Sequence, residues 1–314
     1  MEEKHLERND SLNMETNAEE TVYDRIFSAG KIQIENQDAE GGFQAEPITE
    51  RIFRIHVPGN VCAFLAIGEE KAALIDTGYG VGSIKAYVKS LTDKPLIVIL
   101  THAHFDHVGG ASEFDFSYVP EKDLELTLAH SDKKARVQGL FANGVETTEE
   151  ELTAPLKREQ LIPYQPEAEF ELGGYTVKML PLYGHTKGSH CALFIQDRVL
   201  LLGDACNSFA FLQIEGSAPI EEYRDGLIAF KEKYDDLYDT LIYSHPHNFG
   251  DKTIIDEMIR LCTDILAPDY PYVDVEAIYG TGVCMAKPID EAYRNLDGTA
   301  ANILYRKDYL RKDR

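Results

Sequence analysis

Between Thr101 and Gly110 the chain places three histidines and one aspartate within six positions, directly after the apolar run Pro95–Leu100. These side chains are His102, His104, Asp106 and His107. Imidazole nitrogens and carboxylate oxygens together suit borderline divalent metals, zinc first and then iron or manganese. Side chains 102 and 104 can point to one side of a chain leaving a strand, while 106 and 107 turn to another side. The loop therefore predicts a metal site at a strand end and can serve two adjacent ions.

Further potential ligands follow later apolar runs. His185 lies in Gly-His-Thr-Lys-Gly-Ser after Leu180–Tyr183, and Asp204 follows Val199–Leu202. The segment Ser244-His245-Pro246-His247 offers two more imidazoles after Leu241–Tyr243. A single histidine of this kind is more often a solvated or hydrogen-bonded residue than a ligand. The repeated order of strand and then ligand favours one metal centre built from all of these segments.

With Asp76 in Ile-Asp-Thr-Gly, these motifs in this order resemble the metallo-β-lactamase superfamily, over most of residues 50 to 250. The resemblance implies an α/β fold, a four-layer αβ/βα sandwich with a dinuclear metal site along one edge. It implies that Asp76 orients the ligand loop as a buried carboxylate without binding metal. The implied ligands are His102, His104 and His185 for the first metal, Asp106, His107 and His245 for the second, and Asp204 as the bridge.

The last ligand has two candidates, since the family pattern places a single histidine there. We favour His245, because a small residue, Ser244, precedes it and Pro246 stiffens the backbone behind it. His247 would then support a ligand by a hydrogen bond or contact substrate from the rim.

The charge balance limits the class of substrate. With 31 basic against 54 acidic residues the net charge is -23, whereas binding a polyanion needs several Lys or Arg contacts on one face. We therefore expect a small-molecule substrate, and neither nucleic acid nor an anionic membrane surface as a partner. No run of about 18 apolar residues is present that would span a membrane. The sequence does not indicate the oligomeric state.

The N-terminus and the cysteines favour a cytoplasmic location. Residues 1–20 are charged, mostly acidic, and lack an apolar signal segment, so we expect a disordered leader. The five cysteines are scattered without C-x-x-C spacing, which favours reduced thiols. Cys206, two residues after Asp204, is either a metal neighbour or a small packed residue, and packing is favoured.

The length of 314 residues allows one large domain or two small ones, and the resemblance implies a single domain over residues 21–314. Alternating residues predict strands at 31–34, 52–56, 61–67 and 72–75. A helix over 83–91 and a strand at 96–100, within the apolar run, are predicted next. Gly109-Gly110 are expected to begin the next helix. Hairpins are predicted at 170–180 and 191–202, and helices at 221–239 and 254–266. A C-terminal hairpin within 281–314, built from 283–288 and 300–305, is expected to extend one edge of the sheet.

Residues 121–162 lie between the second and third metal motifs and begin with a predicted helix over 124–136. Because segments inserted here in this fold usually cover the site, we interpret this one as a substrate lid. A surface excursion without substrate contact is the alternative. The candidate substrate-lining aromatics are Phe105 in the ligand loop and Phe209 and Phe211 after Asp204. Exposed rings would line an apolar pocket, whereas buried rings would only pack.

The predicted chemistry is hydrolysis by a hydroxide that bridges two metals, with Asp106 orienting it and passing a proton to the leaving group. No Gly-x-Ser-x-Gly elbow is present, and Ser189 has no base at fixed spacing. An ester, lactone or thioester is the expected substrate, whereas a β-lactam is disfavoured because no export signal is seen. The alternatives are an iron-bearing oxidoreductase of the persulfide dioxygenase kind and a metal-bound sensor without turnover.

Overall fold

The computed structural model describes residues 42–246, 248, 250–275, 282–290 and 294–312. The leader predicted over 1–20, the strand predicted at 31–34 and His247 lie outside the described residues. Within the described part, no helix is both long and apolar enough to cross a membrane.

The first sheet contains seven strands in chain order. They are β1 (Gln44–Pro47), β2 (Ile52–Val57), β3 (Val61–Ile67), β4 (Ala72–Ile75), β5 (Leu96–Ile99), β6 (Ser117–Pro120) and β7 (Leu161–Tyr164). β1 to β4 pair antiparallel, and β4 to β7 pair parallel. The predicted strands within 52–100 form with bounds shifted by no more than one residue.

Six more strands follow along the chain. They are β8 (Glu169–Glu171), β9 (Thr176–Pro181), β10 (His190–Phe194), β11 (Val199–Leu201), β12 (Phe209–Phe211) and β13 (Thr240–Ile242). All but β12 form a second sheet in the order β13-β11-β10-β9-β8. Its hairpins β8–β9 and β10–β11 are those that the sequence predicts.

The helices lie outside the two sheets. They are α1 (Ile84–Leu91), α2 (Phe105–Val108), α3 (Leu124–His130), α4 (Lys133–Ala142), α5 (Ile220–Tyr234) and α6 (Ile254–Ile265). α1 begins where the Ser83 side chain caps the amide of Ala86, and its Ile84 and Val88 face the first sheet. α5 and α6 bury Tyr223, Leu227 and Met258 against the second sheet.

The sheets pack face to face, so the order of layers is helix, sheet, sheet, helix. Alternate residues of β3 serve the two faces: Phe64 packs between the sheets, whereas Leu65 packs under the helices. Between the sheets, Phe64 meets Met179 and Phe194 of the second sheet. This confirms the predicted four-layer αβ/βα sandwich. A strand buried on both faces explains why Val61–Ile67 is apolar almost throughout.

One prediction about the sheets is wrong. The C-terminal hairpin forms, from β15 (Val283–Met285) and β16 (Asn302–Arg306), but it does not extend either main sheet. It joins β12 and the short β14 (Val273–Asp274) in a separate four-stranded sheet, ordered β12-β16-β15-β14. The reason is that β16 pairs parallel with the edge of β12. Residues of the hairpin, among them Met285 and Leu304, then form a small core separate from the cores of the two main sheets.

Two helix predictions also need correction. The helix predicted over 124–136 is broken into α3 and α4, because Oδ1 of Asp132 accepts from the amide of Lys134 at 2.9 Å and starts a new helix. The helix expected to begin at Gly109-Gly110 is only a short 3-10 helix, Ala111–Glu113, with Gly110 at its N-terminal cap, and α2 ends just before it at Val108. Gly109 is needed for close approach, since a Cβ there would lie 2.3 Å from the Tyr79 backbone.

Candidate metal centre

The strands of both sheets bring the candidate residues to one edge. In the first sheet, β4 and β5 end in register, so Asp76 and the loop after Ile99 emerge side by side. In the second sheet, β11 and β13 also run parallel and in register, and Asp204 and His245 follow their ends. β9 runs parallel to β11, because both pair antiparallel with β10, and it leads into His185. The strand ends thus converge on one site.

Three histidines form one potential ligand group. Ligand atoms of His102, His104 and His185 lie within 4.8 Å of one another, and all three residues are buried. The Nδ1 of His104 lies 2.7 Å from the Nε2 of His185. Two imidazole lone pairs at this distance would repel, so the contact requires a proton or a cation between the two nitrogens.

Two aspartates and two histidines form the second group. Ligand atoms of Asp106, His107, Asp204 and His245 also lie within 4.8 Å of one another. The Nε2 of His245 is 3.2 Å from Oδ2 of Asp204 and 3.5 Å from Oδ2 of Asp106. The same Asp204 oxygen is 3.6 Å from the Nε2 of His185 in the first group. One carboxylate oxygen therefore faces both groups.

Hydrogen bonds to the outer nitrogens decide which nitrogen of each ring faces inward. The Nδ1 of His185 lies 2.8 Å from the carbonyl oxygen of Phe211, and that of His245 lies 2.9 Å from the carbonyl of Asn60. A carbonyl only accepts, so each Nδ1 carries a proton and each ring turns its Nε2 into the cluster, where the neutral form has its lone pair. Inward-facing lone pairs are what a metal ligand requires.

Two buried imidazole nitrogens also indicate that these residues bind divalent metal ions. Among the described residues, the buried Nε2 atoms of His102 and His107 have no well-directed hydrogen bond, and the carboxylate oxygens nearest to the Nε2 of His107 are those of Asp106 at 3.4 Å and Asp204 at 3.6 Å. A buried polar atom without a partner costs about 1–3 kcal/mol, and two such atoms beside two carboxylates are hard to justify in a purely structural cluster. Nitrogen and carboxylate donors of this kind suit zinc, iron or manganese.

The two groups differ in electrostatics. Burial lowers the pKa of His102 and His104 well below the ordinary value, and neighbouring imidazoles lower it further, so these rings are neutral. Burial alone would also lower the pKa of His107, but the carboxylates of Asp106, Asp76 and Asp204 outweigh it and raise that pKa well above its usual value. The first group can therefore bind a cation without releasing a proton, whereas the second group would release bound protons when a cation binds.

Asp76 supports the centre from behind without lying in either ligand group. Its fully buried carboxylate accepts hydrogen bonds from the amide of Thr101 and from its hydroxyl, both at 2.8 Å. Its Oδ2 also lies 2.8 Å from the Nδ1 of His107. The Thr101 hydroxyl is in turn 3.0 Å from the Nδ1 of His102. These contacts hold the Thr101 backbone and the His107 ring in place.

A second buried carboxylate, Asp123, is one that the sequence reading missed. It accepts hydrogen bonds from the amide of Ala103 at 3.2 Å and from the amide of Gly188 at 2.7 Å. Thr186 donates its hydroxyl to the same carboxylate at 2.6 Å. Asp123 follows β6, so the order of strand and then polar residue that identified the ligands would also have indicated it.

The segment 121–162 contacts the ligand loop. The ring of His130, at the end of α3, stacks on His104 with centroids 5.2 Å apart and lies 5.8 Å from the ring of Phe105. Phe105 is half-buried beside Tyr79, and a Cβ added at Gly139 of α4 would meet it at 2.6 Å. The sequence analysis did not single out His130.

The other candidates have plain structural surroundings. Phe209 is buried in the small core of the third sheet, so its ring packs and does not line a pocket. Phe211 is half-buried beside it, and its carbonyl oxygen accepts a hydrogen bond from His185. Cys206 is buried in the core under α5 and α6 and belongs to neither ligand group. Ser189 is buried, and its hydroxyl accepts from the amide of Thr186 at 2.9 Å. His247 lies outside the described residues, so the structure addresses only His245 of that pair.

Comparison with known proteins shows to which family the chain is similar. Residues 56–245 match the model described as the metallo-beta-lactamase superfamily. The human protein named acyl-coenzyme A thioesterase MBLAC2 is 26% identical over 238 residues, covering 70% of this chain and 83% of its own length.

Solved structures show the same fold. A metallo-beta-lactamase from Pontibacter korlensis aligns with a TM-score of 0.51 at 17% identity, over 70% of this chain and 99% of its own. The inverting sec-alkylsulfatase Pisa1 from Pseudomonas sp. aligns with a TM-score of 0.54 at 16% identity, over 72% of this chain and 42% of its own.

Proposed function

Because this chain belongs to the metallo-beta-lactamase superfamily, we propose that it is a metal-dependent hydrolase of small acyl thioesters. The observation that carries the proposal is the convergence of seven nitrogen and carboxylate ligands in two adjacent groups, with buried imidazole nitrogens turned inward. Esters and lactones are the nearest alternative substrates, since they present the same carbonyl to a nucleophile.

We assign His102, His104 and His185 to one metal and Asp106, His107 and His245 to the other. Asp204 would be the ligand shared by both metals, an assignment supported by the position of its Oδ2, 3.6 Å from the Nε2 of His185 and 3.2 Å from the Nε2 of His245. Zinc is the first choice, and iron or manganese would suit the same donors. Two such cations supply an activated water and stabilise the negative charge that develops on the attacked carbonyl.

Asp106 is our candidate for proton transfer. Its side chain is 13% exposed against 6% for Asp204, so it is the more accessible of the two carboxylates. The charge of His107 holds the pKa of Asp106 at about 2 against the opposing effect of burial. An ionised carboxylate can orient a water, accept its proton and pass that proton to the departing group.

The choice of thioester comes from the relatives and from charge. The human relative is named an acyl-coenzyme A thioesterase, and the alignment covers most of both chains. The net charge of -23 disfavours polyanionic substrates such as nucleic acid.

We assign the segment 121–162 to the wall of the substrate site, supported by the contacts of His130 with His104 and Phe105.

A substrate panel tests the proposal. The chain, purified without chelator, is assayed on an acyl-coenzyme A, a short thioester without phosphates, a lactone, a carboxylic ester, a phosphodiester and a β-lactam. We expect the highest kcat/KM on a thioester, read from release of free thiol, and a loss of about 10²–10⁴-fold in Asp106→Asn.

The control is His102→Ala, which removes a ligand and should abolish turnover together with bound metal. Wild-type protein that carries its metals but cleaves thioester, ester and lactone no faster than Asp106→Asn would contradict the proposal. Preferred cleavage of the phosphodiester would place the chain in a different substrate class.

A further inference from the structure

We propose that Asp123 is the positioning residue of the His102, His104 and His185 group, and that it supports this group selectively. The inference rests on the proposed metal-binding function of the three histidines. It adds a residue outside the ligand set whose loss should weaken one metal and spare the other.

The first step is the placement of its hydrogen bonds. Ala103, whose amide donates to Asp123, lies between His102 and His104. Thr186, which donates its hydroxyl, follows His185 directly, and Gly188, which donates its amide, lies two residues further on. One carboxylate therefore ties together the two loops that supply the three histidines, across separations of 20, 63 and 65 residues.

The second step is that Asp123 is buried and tightly packed against the loop that follows His185. Asp123 is 1% exposed, and a Cβ added at Gly188 would lie 2.5 Å from its Cγ. The Ser189 hydroxyl bonds both the amide and the hydroxyl of Thr186, which fixes the donor that Asp123 receives. A carboxylate accepts all three hydrogen bonds, whereas an amide of the same shape would leave one backbone N–H facing another donor.

The third step is charge. Imidazole binds a metal as a neutral ligand, so a divalent cation among the three histidines keeps its full charge within that group. No lysine, arginine or histidine of the described residues forms an ion pair with Asp123. Burial raises the pKa of Asp123, and its three hydrogen bonds oppose this by lowering it. In its ionised form the buried carboxylate complements the cation from behind the ligands.

The fourth step is selectivity. Asp76 bonds His107 of the second group directly, and reaches the first group through the Thr101 hydroxyl at His102. Among the described residues, the Asp123 carboxylate accepts hydrogen bonds only from residues in the loops that contain His102, His104 and His185. The two metal groups therefore have largely separate supports.

The experiment uses single-group backgrounds. His245→Ala leaves the three-histidine group as the intact one, and His185→Ala leaves the other group. Zinc or cobalt affinity is measured by chelator competition in each background, with and without Asp123→Asn, together with the visible absorption of bound cobalt. We expect Asp123→Asn to weaken binding about 10–100-fold in the His245→Ala background and to change it less than threefold in the His185→Ala background.

A milder variant covers the case in which Asp123→Asn fails to fold. Thr186→Val removes one donor without changing charge, and should weaken the same metal by a smaller factor and alter the same cobalt bands. Equal losses in both backgrounds, or no loss in either, would overturn the selective function of Asp123. Failure of the wild-type chain to bind metal at all would instead refute the proposed function, so the two failures are distinguishable.

Discussion

Replacing Asp76 should destabilise the metal-free chain strongly, and the structure gives the size of the effect. The carboxylate accepts from the Thr101 amide, the Thr101 hydroxyl and the Nδ1 of His107. In Asp76→Ala the hydroxyl can turn to the Nδ1 of His102, 3.0 Å away, but the other two donors remain buried without a partner. At about 2 kcal/mol each, they cost roughly 4 kcal/mol.

The backbone adds to this cost. Asp76 has a φ of +61°, a left-handed conformation in which aspartate and asparagine are tolerated better than alanine. With about 1 kcal/mol for this effect, Asp76→Ala should lose roughly 5 kcal/mol of unfolding free energy. Asp76→Asn keeps the backbone preference and leaves one donor without an acceptor, so it should lose about 2 kcal/mol.

Urea unfolding of the chelator-treated proteins measures these differences directly. Asp115→Ala is the matched control, since this aspartate is exposed and should change the free energy by no more than about 0.5 kcal/mol. An Asp76→Ala protein within about 1 kcal/mol of wild type would refute the reasoning, because the stranded donors would then have found other partners.

Three further predictions concern the metals and pH. Elemental analysis of chain purified without chelator should give two metals per chain, falling to one in Asp106→Ala/His107→Ala, and a wild-type value of one would remove the second site. Asp204→Asn should lose more metal than His185→Ala, because the former changes both groups; an equal or smaller loss would make Asp204 a supporting residue. Burial lowers the pKa of His190 from 6.5 to about 4, so the unfolded chain binds this proton first as the pH falls. Stability from this group is therefore lost below pH 6.5, and from pH 7 to pH 4.5 wild type should lose roughly 2–3 kcal/mol more than His190→Gln in urea unfolding. Parallel losses in the two proteins would contradict that pKa.

The sequence was most informative where the signal is local. The six positions from His102 to His107 contain four candidate ligands, and the apolar run before them predicts a strand that places their loop at a strand end. The predicted strand bounds were accurate for the same reason. The pattern of apolar residues along a strand shows whether one or both faces are buried, as in Val61–Ile67. The break at Asp132 was also encoded locally, as a capping side chain within an amphipathic pattern.

The tertiary structure decided what depends on distant partners. It separated the ligands into two groups, chose the inward nitrogen of His185 through the carbonyl of Phe211, and placed the terminal hairpin beside β12. It also brought Asp123 to loops up to 65 residues away. Periodicity reports that a residue is buried and on which face, but not which strand or loop lies opposite. That choice is made by hydrogen bonds and packing between segments that only the folded chain brings together.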